Sequence, residues 1–257
     1  MSTSRNAQVS FVAAPRPRLH QPERSSLLIY DVGMHNGDDT EYYLLKGADV
    51  VGIEANPALL PGLRRRFADD ISTHRLTLVD RAVGSEEKPV PFYVDPGKAR
   101  QSSMVRNRAG FSQIEVQAVR LSSLMQVYGL PAFAKIDVES MDGAVLDDLD
   151  RFGMVPPHLS VEAHAFDIFF KLYAMGFTQF RLINCRRVRE LFKNHPVRTL
   201  DGTVISHDFP HHSSGPFGDD LPQPWQTLEQ VCAQWISRES LSGRGWYDVH
   251  ATSRQTW

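Results

Sequence analysis

Near the start of the chain, Asp31-Val32-Gly33-Met34-His35-Asn36-Gly37-Asp38-Asp39-Thr40 follows an apolar run too short for a helix. The stretch reads as strand, tight loop and helix start. Backbone N–H groups are unpaired at such a start, and the missing side chains of Gly33 and Gly37 let a ligand lie against the main chain. Asp31, Gly33, His35, Asn36, Gly37 and Thr40 are therefore candidate cofactor-binding residues. About 20 residues further on, a second apolar strand ends in Glu54 ahead of a helix opened by Pro57, which places an acid to take both hydroxyls of a ribose. A dinucleotide site needs G-x-G-x-x-G. Here only Gly33-x-x-x-Gly37 is present, His35 stands where the close-approach glycine belongs, and Asp38 and Asp39 would repel a pyrophosphate. A carboxylate-rich pocket suits a cofactor with a ribose, an amino-acid tail and a sulfonium cation, which is S-adenosylmethionine. A nicotinamide-dependent oxidoreductase and a non-catalytic nucleoside-binding scaffold are the alternatives.

The elements that must position this cradle alternate apolar strands with amphipathic segments from residue 26 onward, the pattern of a parallel sheet with helices on both faces. Strands are expected over residues 27–31, 50–54, 76–79, 133–138, 159–163 and 177–183, and helices over 39–46, 57–69, 121–128, 142–152 and 166–175. Residues 90–94 and 114–119 alternate as edge strands, with an irregular, polar active-site loop over 97–110 between them. The division expected is a flexible arm rich in Arg and Pro over residues 1–25, a cofactor-binding domain over 26–200, and an extension over 201–257. That extension holds a turn-rich stretch, a helix over 227–238, and Trp225, Trp235, Trp246, Tyr247 and Trp257, too many aromatics for a tail that does not pack on the domain.

Composition removes several classes of function. A formal charge of -2 with a pI near 6.5 provides no field for nucleic acid or an acidic membrane surface. No apolar run approaches the ~20 residues of a membrane span, and residues 1–25 lack the continuous apolar core of a signal peptide, so the cytoplasm is the expected location. Cys185 and Cys232 stand far apart, without metal-ligand spacing and without a disulfide framework.

Two motifs together resemble the FkbM-type S-adenosylmethionine-dependent methyltransferases. The segment from Asp31 to Thr40 is similar to that family's Asp-Val-Gly-x-x-x-Gly-x-x-Thr loop, and Lys135-Ile136-Asp137-Val138-Glu139-Ser140-Met141-Asp142 to its Lys-Ile-Asp-Val-Glu-Gly-x-Glu motif. Ser140 and Asp142 depart from it, replacing the glycine and the glutamate. The resemblance covers roughly residues 26–190. It implies a class I methyltransferase, Rossmann-like sheet of seven strands with an antiparallel last strand, bound S-adenosylmethionine, and methyl transfer to an oxygen, commonly on a sugar or secondary metabolite.

Transfer to a hydroxyl of such a small-molecule acceptor is an in-line displacement that requires alignment, exclusion of water and a base for the departing proton. In open α/β sheets these groups stand beyond the carboxyl ends of the strands, which selects Asp137 and Glu139 after the fourth core strand and Glu162 and His164 after the fifth. His164 is the expected general base, because an unperturbed imidazole accepts a proton at neutral pH. Asp137 orients that imidazole or faces the methyl group, and Lys135 is expected in a structural ion pair. Asp137, Glu139, Glu162 and His164 could alternatively hold one divalent cation, a less favoured reading. Asp80 is read equally as an acceptor for an adenine amino group and as a plain turn aspartate. Ser102 and Ser103 are read as solvated loop residues that could also reach the ligand. His207, His211 and His212 are expected to face solvent, residues 213–218 form a candidate lid, and Arg186, Arg187 and Arg189 make a basic cluster on a solvated face unless they meet an anionic acceptor.

Overall fold

A computed structural model describes residues 27–95, 102–105, 110–199, 201–242 and 245–253; the arm over 1–25 and most of the loop over 97–110 lie outside the described residues. In chain order the strands are β1 Leu28–Val32, β2 Asp49–Ile53, β3 Leu76–Val79, β4 Ala82–Val83, β5 Pro89–Val94, β6 Ser112–Val119, β7 Phe133–Ile136, β8 His158–Glu162, β9 Gln179–Asn184, β10 His195–Arg198, β11 Val204–His207 and β12 Tyr247–Thr252. The helices are α1 Asp38–Leu45, α2 Leu60–Arg66, α3 Ala68–Ser72, α4 Leu121–Tyr128, α5 Asp142–Arg151, α6 Asp167–Ala174, α7 Val188–Leu191 and α8 Leu228–Ser242. None is long and apolar enough to cross a membrane.

Seven strands form one sheet in the order β3-β2-β1-β7-β8-β12-β9, parallel from β3 to β8, with β12 antiparallel to both neighbours. The central strands are buried on both faces, which is why they are rich in apolar residues with no alternation of polar positions. The chain leaves β1 toward β2 and β3 and later returns on its other side as β7 and β8. The ends of β1 and β7 therefore form a switch point, where the loops diverge and leave a crevice.

Four departures from the sequence reading have physical causes. The helix expected over 57–69 breaks into α2 and α3 at Phe67, whose ring fills the space beside Gly37. The strands expected at the sheet's edge form a separate small sheet instead, in the order β4-β6-β5. His207 is buried rather than solvent-facing, since it sits on β11 with its ring 4.7 Å from Phe209 and 5.8 Å from Tyr42. The boundary drawn after residue 200 cuts through the sheet, because β12 enters between β8 and β9.

Tyr247, Val249 and Ala251 of that strand join the core on the face covered by α4, α5, α6 and α8. Asp248, His250 and Thr252 alternate with them and are buried as well. His250 survives there as a neutral imidazole. Burial and the Arg181 charge push its pKa down to about 3, and its ring lies parallel to Phe133 at 6.2 Å. The opposite face is covered by α1, α2 and residues 188–221, whose Phe217 stacks on Phe133 with ring centroids 4.5 Å apart.

Candidate functional site

The crevice at the switch point is a cleft of about 580 Å³. Its first wall is the loop after β1. Met34 packs under this loop against β2 at Gly52, where an added Cβ would come 2.6 Å from the Met34 sulfur. Gly33 has φ +80°, and a Cβ there would stand 1.9 Å from the Asp137 carbonyl oxygen. Its missing side chain therefore serves close packing of the loop on the end of β7. Gly37, at φ +84°, serves the Phe67 ring in the same way and does not line the cleft. Asp31 and Thr40 are fully buried beneath the loop, the Thr40 hydroxyl donating to Asp31 Oδ2 at 2.6 Å. They brace the loop from below, and of the candidate residues on it only Gly33, His35 and Asn36 line the cleft.

Glu54 forms the second wall. Its Oε2 accepts the His35 backbone N–H at 2.9 Å and its Oε1 the Asn56 backbone N–H at 2.7 Å. Both oxygens are thereby fixed, and each keeps a lone pair. Burial raises its pKa to about 7 against those two hydrogen bonds. Beyond it lies a largely apolar slot made by Ile53, Ala55, Ala82, Val83, Phe92 and Met104. Ser102 lines the same slot, and Ser103 is buried, its hydroxyl donating to the Glu139 carbonyl at 2.6 Å. Asp80 is not in the slot. Its carboxylate is engaged by Arg81 at 2.7 Å and Arg64 at 3.5 Å, and Arg81 takes its place in the lining.

The floor is acidic. Lys135 is buried and faces Asp31, Asp39 and Asp137 at 3.5, 3.4 and 3.7 Å, the structural ion pairing expected of it. One ammonium cannot neutralise three carboxylates, and the neighbouring Asp248, also buried, has its pKa raised to about 7 by burial and by the Asp137 charge. Asp39 also ties the C-terminal region to α1, accepting the Ser213 hydroxyl and the Ser214 backbone N–H. Residues 213–218 are buried, with Phe217 in the core rather than over the cleft.

Asp137, Glu139 and Glu162 line the floor, and Asp137 and Glu162 are within side-chain hydrogen-bonding reach of each other. Glu139 and Ser140 have φ of 47° and 76°. Both lie in the left-handed region, which the glycine expected at position 140 would adopt without strain. His164 is absent from the cleft lining. Its Nε2 lies 3.1 Å from Glu162 Oε2 and 3.3 Å from Asp142 Oδ2. Burial works against its charge, but hydrogen bonds to those two carboxylates outweigh it and hold the pKa up at about 11.

An imidazolium cannot accept a proton, so a His164 held in the charged form is at odds with the base role expected of it. Glu162, which lines the cleft, has its pKa raised to about 8, chiefly by burial and with the Asp137 charge adding to it, against the hydrogen bond from His164. Sequence reasoning placed Glu162 at a strand end yet assigned the base by solution pKa. The alternative of one divalent cation held by Asp137, Glu139, Glu162 and His164 has no geometric support, since among the described residues no three such side chains are grouped to hold an ion.

The far end of the cleft is made by Arg186, His211, His212, Gly245 and Trp246. Trp246 was legible only as one of several C-terminal aromatics. It reaches the site because β12, which it precedes, inserts into the sheet.

No curated protein matches this chain. Among solved structures it is similar to the precorrin-6Y C5,15-methyltransferase of Geobacter metallireducens, with 11% identity, a TM-score of 0.41, and coverage of 91% of this chain and 83% of that one. An rRNA methylase of Streptococcus thermophilus shares 12% identity at a TM-score of 0.40, covering 90% and 88%. Phosphoethanolamine N-methyltransferase 2 of Haemonchus contortus, in complex with S-adenosyl-L-methionine, shares 12% at 0.41, with 91% of this chain matched to 50% of that one. The Methyltransferase FkbM domain matches residues 31–195, a span that takes in the loop after β1, Glu54, the floor carboxylates and Arg186. With both motifs inside that match, the chain belongs to the FkbM methyltransferase domain family.

Proposed function

We propose that this protein transfers a methyl group from S-adenosylmethionine to a hydroxyl of a small molecule, of the kind found on sugars and secondary metabolites. The residues present fit that cofactor. Glu54 offers one lone pair on each of two fixed oxygens, as a ribose diol needs, and the apolar slot beyond it suits an adenine ring. The acidic floor complements a cation, since carboxylates whose pKa values are raised by burial and mutual repulsion are relieved by a positive charge. S-adenosylmethionine, when bound, supplies a methyl carbon activated by its sulfonium.

The chain's own part is to place the acceptor and receive its proton. The Glu162 carboxylate takes the hydroxyl proton, and a base with a pKa of about 8 works near neutral pH without binding the proton too weakly to accept it. His164 is a positioning residue that holds Glu162 and Asp142 together. The observation that carries the choice of oxygen over other acceptor atoms is this partly exposed carboxylate, kept basic and aimed into the cleft.

The test is to incubate the full chain with methyl-labelled S-adenosylmethionine and a panel of sugars and aglycones, with and without chelator. Label on an ether oxygen is the expected outcome. Label confined to nitrogen or carbon acceptors would overturn the assignment.

A further inference from the structure

The charged side chains of the cleft differ from one end to the other. Its floor is lined by Asp137, Glu139 and Glu162, whereas its far rim carries the Arg186 guanidinium, beside His211 and His212. The rim is built deliberately enough to hold its shape. After β9 the Asn184 side chain accepts the Arg186 backbone N–H at 3.1 Å and caps the turn Cys185–Arg187. The Cys185 backbone N–H donates to the Trp246 carbonyl at 2.9 Å, so the two segments that carry the Arg186 guanidinium and the Trp246 indole are bonded side by side. The His212 ring lies 6.5 Å from the Trp246 ring.

Among the described residues no carboxylate pairs with Arg186, whereas its neighbour Arg187 is held by Glu190 at 3.2 Å. Arg189 and Lys193 extend the same rim into an adjoining depression, whose one acid among the described residues, Asp208, already accepts the Asn194 backbone N–H at 2.6 Å. The chain as a whole is slightly acidic, so the grouping of Arg186, Arg189 and Lys193, none of which has a carboxylate partner among the described residues, is local to the mouth of the cleft.

We propose that the methyl acceptor is an anionic hydroxylated molecule, a carboxylate or a phosphate, whose charge is held by Arg186 at the rim and whose flat face lies on Trp246 while its hydroxyl turns toward Glu162. The inference rests on the methyltransferase reading above and narrows its substrate class. A guanidinium binds an oxyanion through two parallel hydrogen bonds and fixes its orientation as well as its position. An indole face accepts a sugar or aromatic ring without demanding a hydrogen bond from it. Placing the negative charge at the rim keeps it clear of the acidic floor, where it would be repelled. A neutral acceptor would leave the guanidinium with nothing to bind.

Calorimetric titration of the full chain, loaded with S-adenosylhomocysteine, with phenyl phosphate, benzoate and benzyl alcohol tests this. One or both anions should bind about tenfold or more tightly than the neutral alcohol, and the stronger of the two identifies the oxyanion class. Arg186→Gln should erase that preference and leave S-adenosylhomocysteine affinity unchanged, and Trp246→Ala should weaken all three probes alike. Equal or undetectable binding of the three compounds would overturn the proposal, as would an Arg186→Gln protein that keeps the anion preference. Loss of S-adenosylhomocysteine binding in Arg186→Gln alone would reassign that side chain to the cofactor and also overturn it. Absence of S-adenosylhomocysteine binding in the unmodified chain would instead bring down the cofactor reading beneath it.

Discussion

The two ends of the cleft are made in different ways. At the end around Gly33 and Glu54 the loop and the carboxylate both come from residues 33–56, and backbone N–H groups hold that carboxylate in place. The end around Glu162 draws on residues 137–142, 162–164, 186, 211–212 and 245–246, and it is held by ion pairs and titratable side chains. The first is rigid by covalent neighbourhood. The second exists only once β7, β8, β9 and β12 lie side by side. A shared cofactor can be gripped by the first kind of construction, while the second lets the acceptor and the proton chemistry vary without disturbing the loop.

The sharpest way to separate the two ends is to disable the floor and leave the loop. Glu162→Gln should lower turnover by about 10²–10⁴-fold, with S-adenosylhomocysteine affinity measured by calorimetry little changed; equal losses in both would erase the distinction. A smaller effect is expected from joining the two ends wrongly. Gly33→Ala drives a Cβ into the Asp137 carbonyl at positive φ and should cost about 2–4 kcal/mol of stability, read as a lowered melting temperature with weakened cofactor binding. Glu54→Gln keeps the shape and replaces one acceptor oxygen with a donor. It should weaken S-adenosylhomocysteine by about tenfold while the rate at saturating cofactor stays the same.

The smallest effects are those of pH, and their signs follow from the floor. Glu162 is protonated below about pH 8 and ionised above it, so turnover should rise with pH through that value. Removing the His164 cation by His164→Gln takes away a hydrogen bond that favours the ionised form and should move the rise to higher pH. A profile that rises near 6.5 and is abolished by that variant would restore the imidazole as base.

Stability should run the other way. Glu54, Glu162 and Asp248 have folded pKa values raised to about 7, 8 and 7, so the folded state holds protons that the unfolded chain has lost. His164, raised to about 11, acts in the same sense above its unfolded value. The melting temperature of the ligand-free protein should therefore fall as pH rises from about 4.5, where the unfolded carboxyls have ionised, to about 8, and His164 should extend the fall above pH 6.5 toward 11; S-adenosylmethionine should flatten that slope by supplying positive charge.

The loop after β1 shows how a residue picked out by local pattern can serve packing that the pattern does not reveal. The pattern of Gly33 and Gly37 was legible because strand, turn and helix start are local events. What each glycine makes room for, the Asp137 carbonyl and the Phe67 ring, belongs to distant segments. Asp31 and Thr40 show the same limit, since a motif marks both but not that they face away from the cleft. His164 shows it for chemistry. Its ordinary pKa predicts a base, and two carboxylates brought to 3.1 and 3.3 Å turn it into a cation.

The sequence by itself determined the parallel sheet, the loop at the end of β1, the acid at the end of β2 and the acidic residues beyond β7 and β8, because each is set by spacing along a few neighbouring residues. The tertiary structure alone decided that Tyr247–Thr252 is a strand of the same sheet, that Trp246 lines the same cleft as Arg186, and that burial and neighbouring charges shift Glu162 to about 8 and His164 to about 11. Charge and burial are summed over everything nearby in space, and the groups that set them here lie as far apart in the chain as Asp137 and Asp248.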